Sequence, residues 1–187
     1  MTRVISGRAR GRRLRTPTGR ATRPTTDRVR EALFSALEAA RGGLDGTCVL
    51  DLFAGSGAVG LEALSRGAEG VVLVERDQRA AAVIRANVAA VGLPGATVVT
   101  TKVESYLQRP PDHPFDVVFL DPPYDLPAAD VTVLLGALAD PRWSKANGWI
   151  VVERPSRDRD FAWPTTIGAA REKKYGETVL WYGRPHA

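Results

Sequence analysis

Sulfur is scarce in this chain: one cysteine, Cys48, and one methionine occur in 187 residues. Cys48 therefore has no partner for an internal disulfide and reads as a small buried strand residue. His113 and His186 are the only histidines, so no zinc-ligand spacing exists and no metal is expected. No apolar run approaches the roughly 18 residues of a spanning helix. The start, MTRVISGRARGRR, is basic but lacks the apolar stretch of a secretory signal, and a cytoplasmic protein with no membrane contact is expected. Internal repeats are absent, and low complexity is confined to the arginine-rich start. Acid is missing from that start as well. Residues 1–30 hold ten arginines (3, 8, 10, 12, 13, 15, 20, 23, 28 and 30) against Asp27 alone, a net of +9, while residues 31–187 net −4. The whole basic excess lies at one end, where a polyanion is the natural partner.

Hydrophobic residues at 44% and charged residues at 25% describe a globular domain, and the length allows one substantial core with a small appendage. Residues 1–24 read as a basic arm: Val4, Ile5 and Leu14 flank Gly-Arg-Ala-Arg-Gly as in a short hairpin. Residues 25–187 read as the main domain. Thr25 or Thr26 can cap a helix carrying Val29, Leu33, Phe34, Leu37 and Ala40, which stops near Gly42 and Gly43. Strands are then predicted over 47–53, 71–75, 97–100, 115–120 and 149–153, with helices over 58–66, 77–91, 104–108 and 128–139 between them. A final pair, 165–173 and 178–182, brackets Tyr175-Gly176-Glu177 like a hairpin. This alternation implies a doubly wound α/β fold: a mostly parallel, seven-stranded sheet with an antiparallel edge.

Asp51-Leu-Phe53-Ala-Gly55-Ser-Gly57-Ala-Val-Gly60 spans a strand-to-helix turn and contains Gly-x-Gly-x-x-Gly. Glu75 ends the next strand, where a carboxylate can accept bonds from both hydroxyls of a ribose. Alone, these features suit a NAD-dependent oxidoreductase as well as a methyltransferase. Asp51 separates the two, because an acid there would repel a pyrophosphate yet attract the cationic sulfonium and ammonium of S-adenosylmethionine. The chain here resembles the class I, Rossmann-like S-adenosylmethionine methyltransferases. That resemblance implies a cofactor set of Asp51, Phe53, Gly55, Gly57, Glu75 and Arg76, with Lys102 and Val103 beside the adenine and Glu104 as an approximate match to a family acid.

A second motif, Asp121-Pro122-Pro123-Tyr124, ends a predicted buried strand. Two prolines fix the backbone and remove two amide donors, leaving the Asp121 carboxylate and the Pro122 carbonyl as rigid acceptors. An exocyclic ring amine, whose lone pair is delocalised, needs such acceptors to become nucleophilic. Tyr124 can stack on the extruded base. In a doubly wound sheet Asp51 and Asp121 are expected to flank one crevice at the topological switch point, so Asp121 counts with the cofactor set also.

Over nearly its whole length the chain resembles the RsmD family, bacterial 16S rRNA guanine-N2 methyltransferases. The matching stretches are Arg3-Val-Ile-Ser-Gly7, Arg23-Pro-Thr-Thr-Asp-Arg-Val-Arg-Glu31, Asp51 to Gly57, Val74-Glu75, Asp121 to Tyr124 and Lys174-Tyr-Gly176. The resemblance implies methylation of guanine 966 within the small ribosomal subunit or its late precursor, and a monomer is expected. It also implies Thr26, Arg28 and Glu31 near the cofactor, and a basic arm (Arg8, Arg10, Arg12, Arg13, Arg15) that grips RNA. On this reading a chain starting near Arg23 should fold and bind cofactor normally. Competing readings are an adenine-N6 methyltransferase of DNA or RNA, the oxidoreductase, and a non-catalytic ribosome assembly factor.

Overall fold

The computed structural model describes residues 2–17, 26–158 and 161–186. Arg20, Arg23, Pro24 and Thr25, which figure in the sequence argument, lie outside the described residues. The chain divides into two compact units, residues 1–102 and 103–187.

In the first unit β1 (Thr2–Arg3) pairs antiparallel with β2 (Arg13–Leu14), forming the hairpin expected of the arm. Helix α1 (Asp27–Arg41) is capped by Thr26, whose hydroxyl accepts from the Val29 amide, and ends at Gly42 in the left-handed conformation, φ 80°. Three parallel strands follow: β3 (Cys48–Leu52), β4 (Gly70–Glu75) and β5 (Ala96–Thr100), in the order β5-β4-β3. Helix α2 (Ala58–Ser65) links β3 to β4 and is buried at every residue, so its sequence AVGLEALS shows no polar face. Helix α3 (Gln78–Val91) links β4 to β5 and starts at Asp77, which accepts from the Ala80 amide at 2.8 Å.

The second unit opens with the short helix α4 (Val103–Tyr106) and β6 (Phe115–Leu120), buried throughout. After α5 (Ala128–Leu138), β7 (Ser144–Pro155) runs parallel to β6, while β8 (Ile167–Tyr175) and β9 (Thr178–Pro185) add antiparallel in the order β6-β7-β9-β8. Strand β7 begins five residues before the predicted Trp149. The turn-like Lys145-Ala-Asn-Gly148 is carried inside the strand as an irregularity, where the register passes from Phe115 opposite Ser144 to Val117 opposite Trp149. Lys145 is held there by Asp116 at 2.9 Å. No helix among the described residues is long and apolar enough to cross a membrane.

Candidate active site

The nucleotide cradle grows from the end of β3. Beyond Leu52 the chain enters left-handed conformations at Phe53 (φ 63°), Gly55 (φ 57°) and Gly57 (φ 77°). Phe53 has a side chain and pays for that conformation. The glycines divide the work. A Cβ on Gly57 would lie 3.0 Å from Ile84 and one on Gly60 2.7 Å from Val71, so both allow α2 to pack closely. A Cβ on Gly55 would meet only the Phe53 carbonyl, at 3.9 Å. Its missing side chain leaves open space on the loop, as close approach of a ligand requires.

Glu75, at the end of β4, is buried and accepts from the Gly55 amide at 3.0 Å and the Asp77 amide at 2.8 Å. The carboxylate thus fixes the loop from the end of β4. Asp51, also buried, accepts from the Gly60 amide at 2.9 Å. The N-cap of α2 is Gly57, which has no side chain to offer, so Asp51 caps that helix from the preceding strand. Burial raises the Asp51 carboxyl to about 7; the Gly60 hydrogen bond opposes this and the negative charge of Glu75 adds to it.

The remaining cofactor candidates of this unit are not joined to the loop by any bond among the described residues. Arg28, Arg76 and Lys102 are exposed. Thr26 serves as the α1 cap, and Glu31 accepts from Arg66 at 2.6 Å.

The arm's hairpin is bound to the helix that leaves the glycine loop. Glu62 on α2, wholly buried, accepts from the amides of Ile5 (2.7 Å) and Ser6 (2.9 Å) and from Arg66 (2.8 Å). The Ser65 hydroxyl accepts from the Ala9 amide at 2.9 Å, and its carbonyl accepts from the Arg8 amide at 2.7 Å. Gly7 is obligatory here, since a Cβ would lie 1.8 Å from the Ser65 carbonyl oxygen. Arg30 is not a surface cation of the arm: it is wholly buried and donates to Thr2 and Asp27, both at 3.1 Å. Arg8, Arg10, Arg12, Arg13 and Arg15 are exposed, although one Arg8 nitrogen donates to the Leu64 carbonyl at 3.0 Å. Removal of residues 1–22 would take two amide donors from Glu62 and the Thr2 hydroxyl from Arg30, leaving the buried Arg30–Glu62 pair (3.6 Å) under-bonded, so a chain starting near Arg23 is expected to be destabilised rather than to fold normally.

In the second unit β6 runs directly into Asp121-Pro122-Pro123-Tyr124. Pro122 is buried, Asp121 half-buried and Tyr124 47% exposed. The Pro123 carbonyl accepts from the Leu126 amide at 3.0 Å, and the Leu126 carbonyl accepts from Arg154 at 3.1 Å. Arg154, buried and paired with Asp158, braces the turn from β7. Val103 is 3% exposed at the start of α4. Glu62, Asn87 and Arg154 were not singled out in the sequence: Glu62 and Asn87 are isolated polar residues on helices with mostly apolar neighbours, and Arg154 sits in a charged strand end.

The family model described as "Conserved hypothetical protein 95" matches residues 2–184. The chain is 39% identical over 177 residues to "Ribosomal RNA small subunit methyltransferase D" of Escherichia coli K12, covering 95% of this chain and 86% of the relative. It is 36% identical to the protein of the same name from Haemophilus influenzae, covering 93% and 89%. Among solved structures, a hypothetical protein of Thermus thermophilus superposes with a TM-score of 0.81 at 37% identity, covering 97% of this chain and 98% of that one. Seven strands, mostly parallel, with intervening helices make this a class I S-adenosylmethionine methyltransferase fold. The chain belongs to the RsmD family.

Proposed function

We propose that this protein uses S-adenosylmethionine to methylate the exocyclic N2 of a guanine in 16S ribosomal RNA of the small subunit, guanine 966 by family resemblance. The observation that carries the reading is the fully buried strand β6 ending in Asp121, a buried Pro122 and an exposed Tyr124. Relatives named as small-subunit RNA methyltransferases support the substrate class.

The cradle fits the cofactor. Asp51 and Glu75 are two buried acids beside one loop, an environment that favours a ligand with positive charge and hydroxyls and opposes a pyrophosphate; this weighs against the oxidoreductase. Glu75 would hold the ribose, and the open side of Gly55 would admit the ligand. S-adenosylmethionine supplies a methyl group on a positively charged sulfur. Asp121 and the Pro122 carbonyl would accept from the amine, localising its lone pair for attack on that methyl, and the proton shed by the methylated nitrogen would pass to solvent water. Tyr124 stacks on the base and keeps its plane fixed. Most of the catalysis is positioning.

Asp51 gives this reading a pH signature. Its folded-state value lies above the ordinary 3.8, so the protonated form is the one folding favours. That contribution to stability is full below about pH 4 and is lost as pH rises towards about 7. A cationic ligand favours the carboxylate instead. Binding at pH 6 is therefore expected to release a proton from Asp51, and affinity to rise from pH 6 to 8. Calorimetry in buffers of differing ionisation enthalpy measures this release, which should vanish in Asp51→Asn.

The function itself is tested by incubating the protein with S-adenosylmethionine and undermethylated small subunits, then identifying the modified nucleoside by mass. N2-methylguanosine is expected. N6-methyladenosine would change the base, and no modification would favour the assembly-factor reading.

A further inference from the structure

Asn87 stands at a junction that neither motif includes. It lies on α3, 1% exposed, and its amide makes three hydrogen bonds. Oδ1 accepts from the Arg15 amide at 2.8 Å, while Nδ2 donates to the Arg15 carbonyl and to the Ser56 carbonyl, both at 2.9 Å. The orientation is determined by these partners, since a flipped amide would set its NH2 against the Arg15 N–H and its oxygen against two carbonyls. Arg15 immediately follows β2 of the arm, and Ser56 lies between the left-handed Gly55 and Gly57 of the cofactor loop.

The Ser56–Gly57 peptide is consequently held at both ends. Its carbonyl is bonded to Asn87, and its N–H donates to the Ala54 carbonyl at 2.7 Å. Rotation of that peptide would re-aim the neighbouring backbone on the side where Gly55 is open. On the other side, the two bonds to Arg15 clamp the arm's backbone as a strand partner would, next to the exposed Arg13 and Arg15 side chains. One buried side chain thus fixes the path of the basic arm and the shape of the loop together.

We propose that Asn87 is a positioning residue linking the docked arm to the cofactor loop, so that the arm's placement and the affinity for S-adenosylmethionine change together. The proposal rests on the functional reading above. Reciprocity follows from linkage: whatever orders the arm at Arg15 lowers the cost of ordering the loop at Ser56, and the converse. Polyanion bound on the arm should therefore tighten cofactor binding.

The sharpest test leaves the loop untouched. Arg15→Ala and Arg15→Pro remove the same charge, but only Arg15→Pro removes the N–H that Asn87 accepts. Cofactor affinity of the full-length variants, measured by calorimetry, is expected to be at least about 5-fold weaker in Arg15→Pro than in Arg15→Ala, the effect of one buried hydrogen bond. Asn87→Ala should weaken it further, and amide exchange in the cofactor-free protein should accelerate at Gly57 and Arg15 together. A single-stranded RNA oligonucleotide should tighten S-adenosylmethionine binding by the wild type and not by Asn87→Ala. If Arg15→Pro and Arg15→Ala bind the cofactor equally while the wild type binds it well, the link is refuted and the functional reading stands. If the wild type does not bind S-adenosylmethionine, the functional reading fails and the link with it.

Discussion

Replacing Asp121 with alanine is expected to slow single-turnover methylation at least about 100-fold, the scale for removing one aimed electrostatic group. Binding of S-adenosylmethionine should stay close to that of the wild type, because the cradle bonds are made by Asp51, Gly55, Glu75 and Asp77 in the other unit. The expected separation is therefore a loss in the chemical step with cofactor affinity intact. Asp121→Asn should retain more activity than Asp121→Ala, since an amide oxygen still accepts from the amine but carries no charge. A rate for Asp121→Ala near that of the wild type would remove the residue from the mechanism. A parallel loss of cofactor affinity would move it into the cradle.

The second large effect concerns the arm. Deleting residues 1–22 removes Val4 and Leu14, exposed by only 1% and 2%, which contribute roughly 1.5–3 kcal/mol each. It also strips two amide donors from Glu62, at a further cost of roughly 1–3 kcal/mol or more. Together these approach the whole stability of a small domain, about 5–15 kcal/mol. The truncated chain is expected to be largely unfolded by urea denaturation, and a wild-type midpoint would show that the hairpin adds nothing to the fold. RNA contact is better tested by replacing Arg10, Arg12, Arg13 and Arg15 with alanine, sparing Arg8, which is bonded to Leu64. That variant should fold and bind cofactor, while the slope of log affinity against log salt becomes shallower by about 3, at roughly 0.7 per single-strand phosphate contact. An unchanged slope would place the RNA grip elsewhere.

What could be read in the sequence was what is local. The turn from Asp51 to Gly60, the acid at Glu75 and the corner at Asp121 are each set within a few residues by glycines, prolines and strand ends. Every predicted strand and helix has a counterpart among the described residues for the same reason. The hidden features depend on residues far apart in the chain. Glu62 bonds Ile5 across 57 positions, and Asn87 bonds Arg15 across 72, so no periodicity could announce them. Arg30 was misplaced by charge counting, which registers a cation without registering where it is buried. The role of Asp51 was half visible: its acid chemistry follows from its place in the motif, but the cap it gives α2 needed Gly60 in three dimensions. Strand β7 was shortened in prediction because Lys145-Ala-Asn-Gly148 has turn composition even when it is held within a strand.

The contacts of Glu62, Ser65 and Asn87 also turn the arm from a tether into a gauge. A flexible basic tail would capture any polyanion in reach and leave the chemistry to search along it. Here the arginines and the glycine loop belong to one packed unit, so the distance between them is constant. On the proposed function, a substrate would then be selected by whether it presents a ridge of phosphate at that one spacing from the bound cofactor. A free strand would meet this condition in a small fraction of its conformations, whereas an RNA held in a folded particle would meet it continuously. Discrimination between the two would be a property of the spacing, requiring no contact with the sequence around the target.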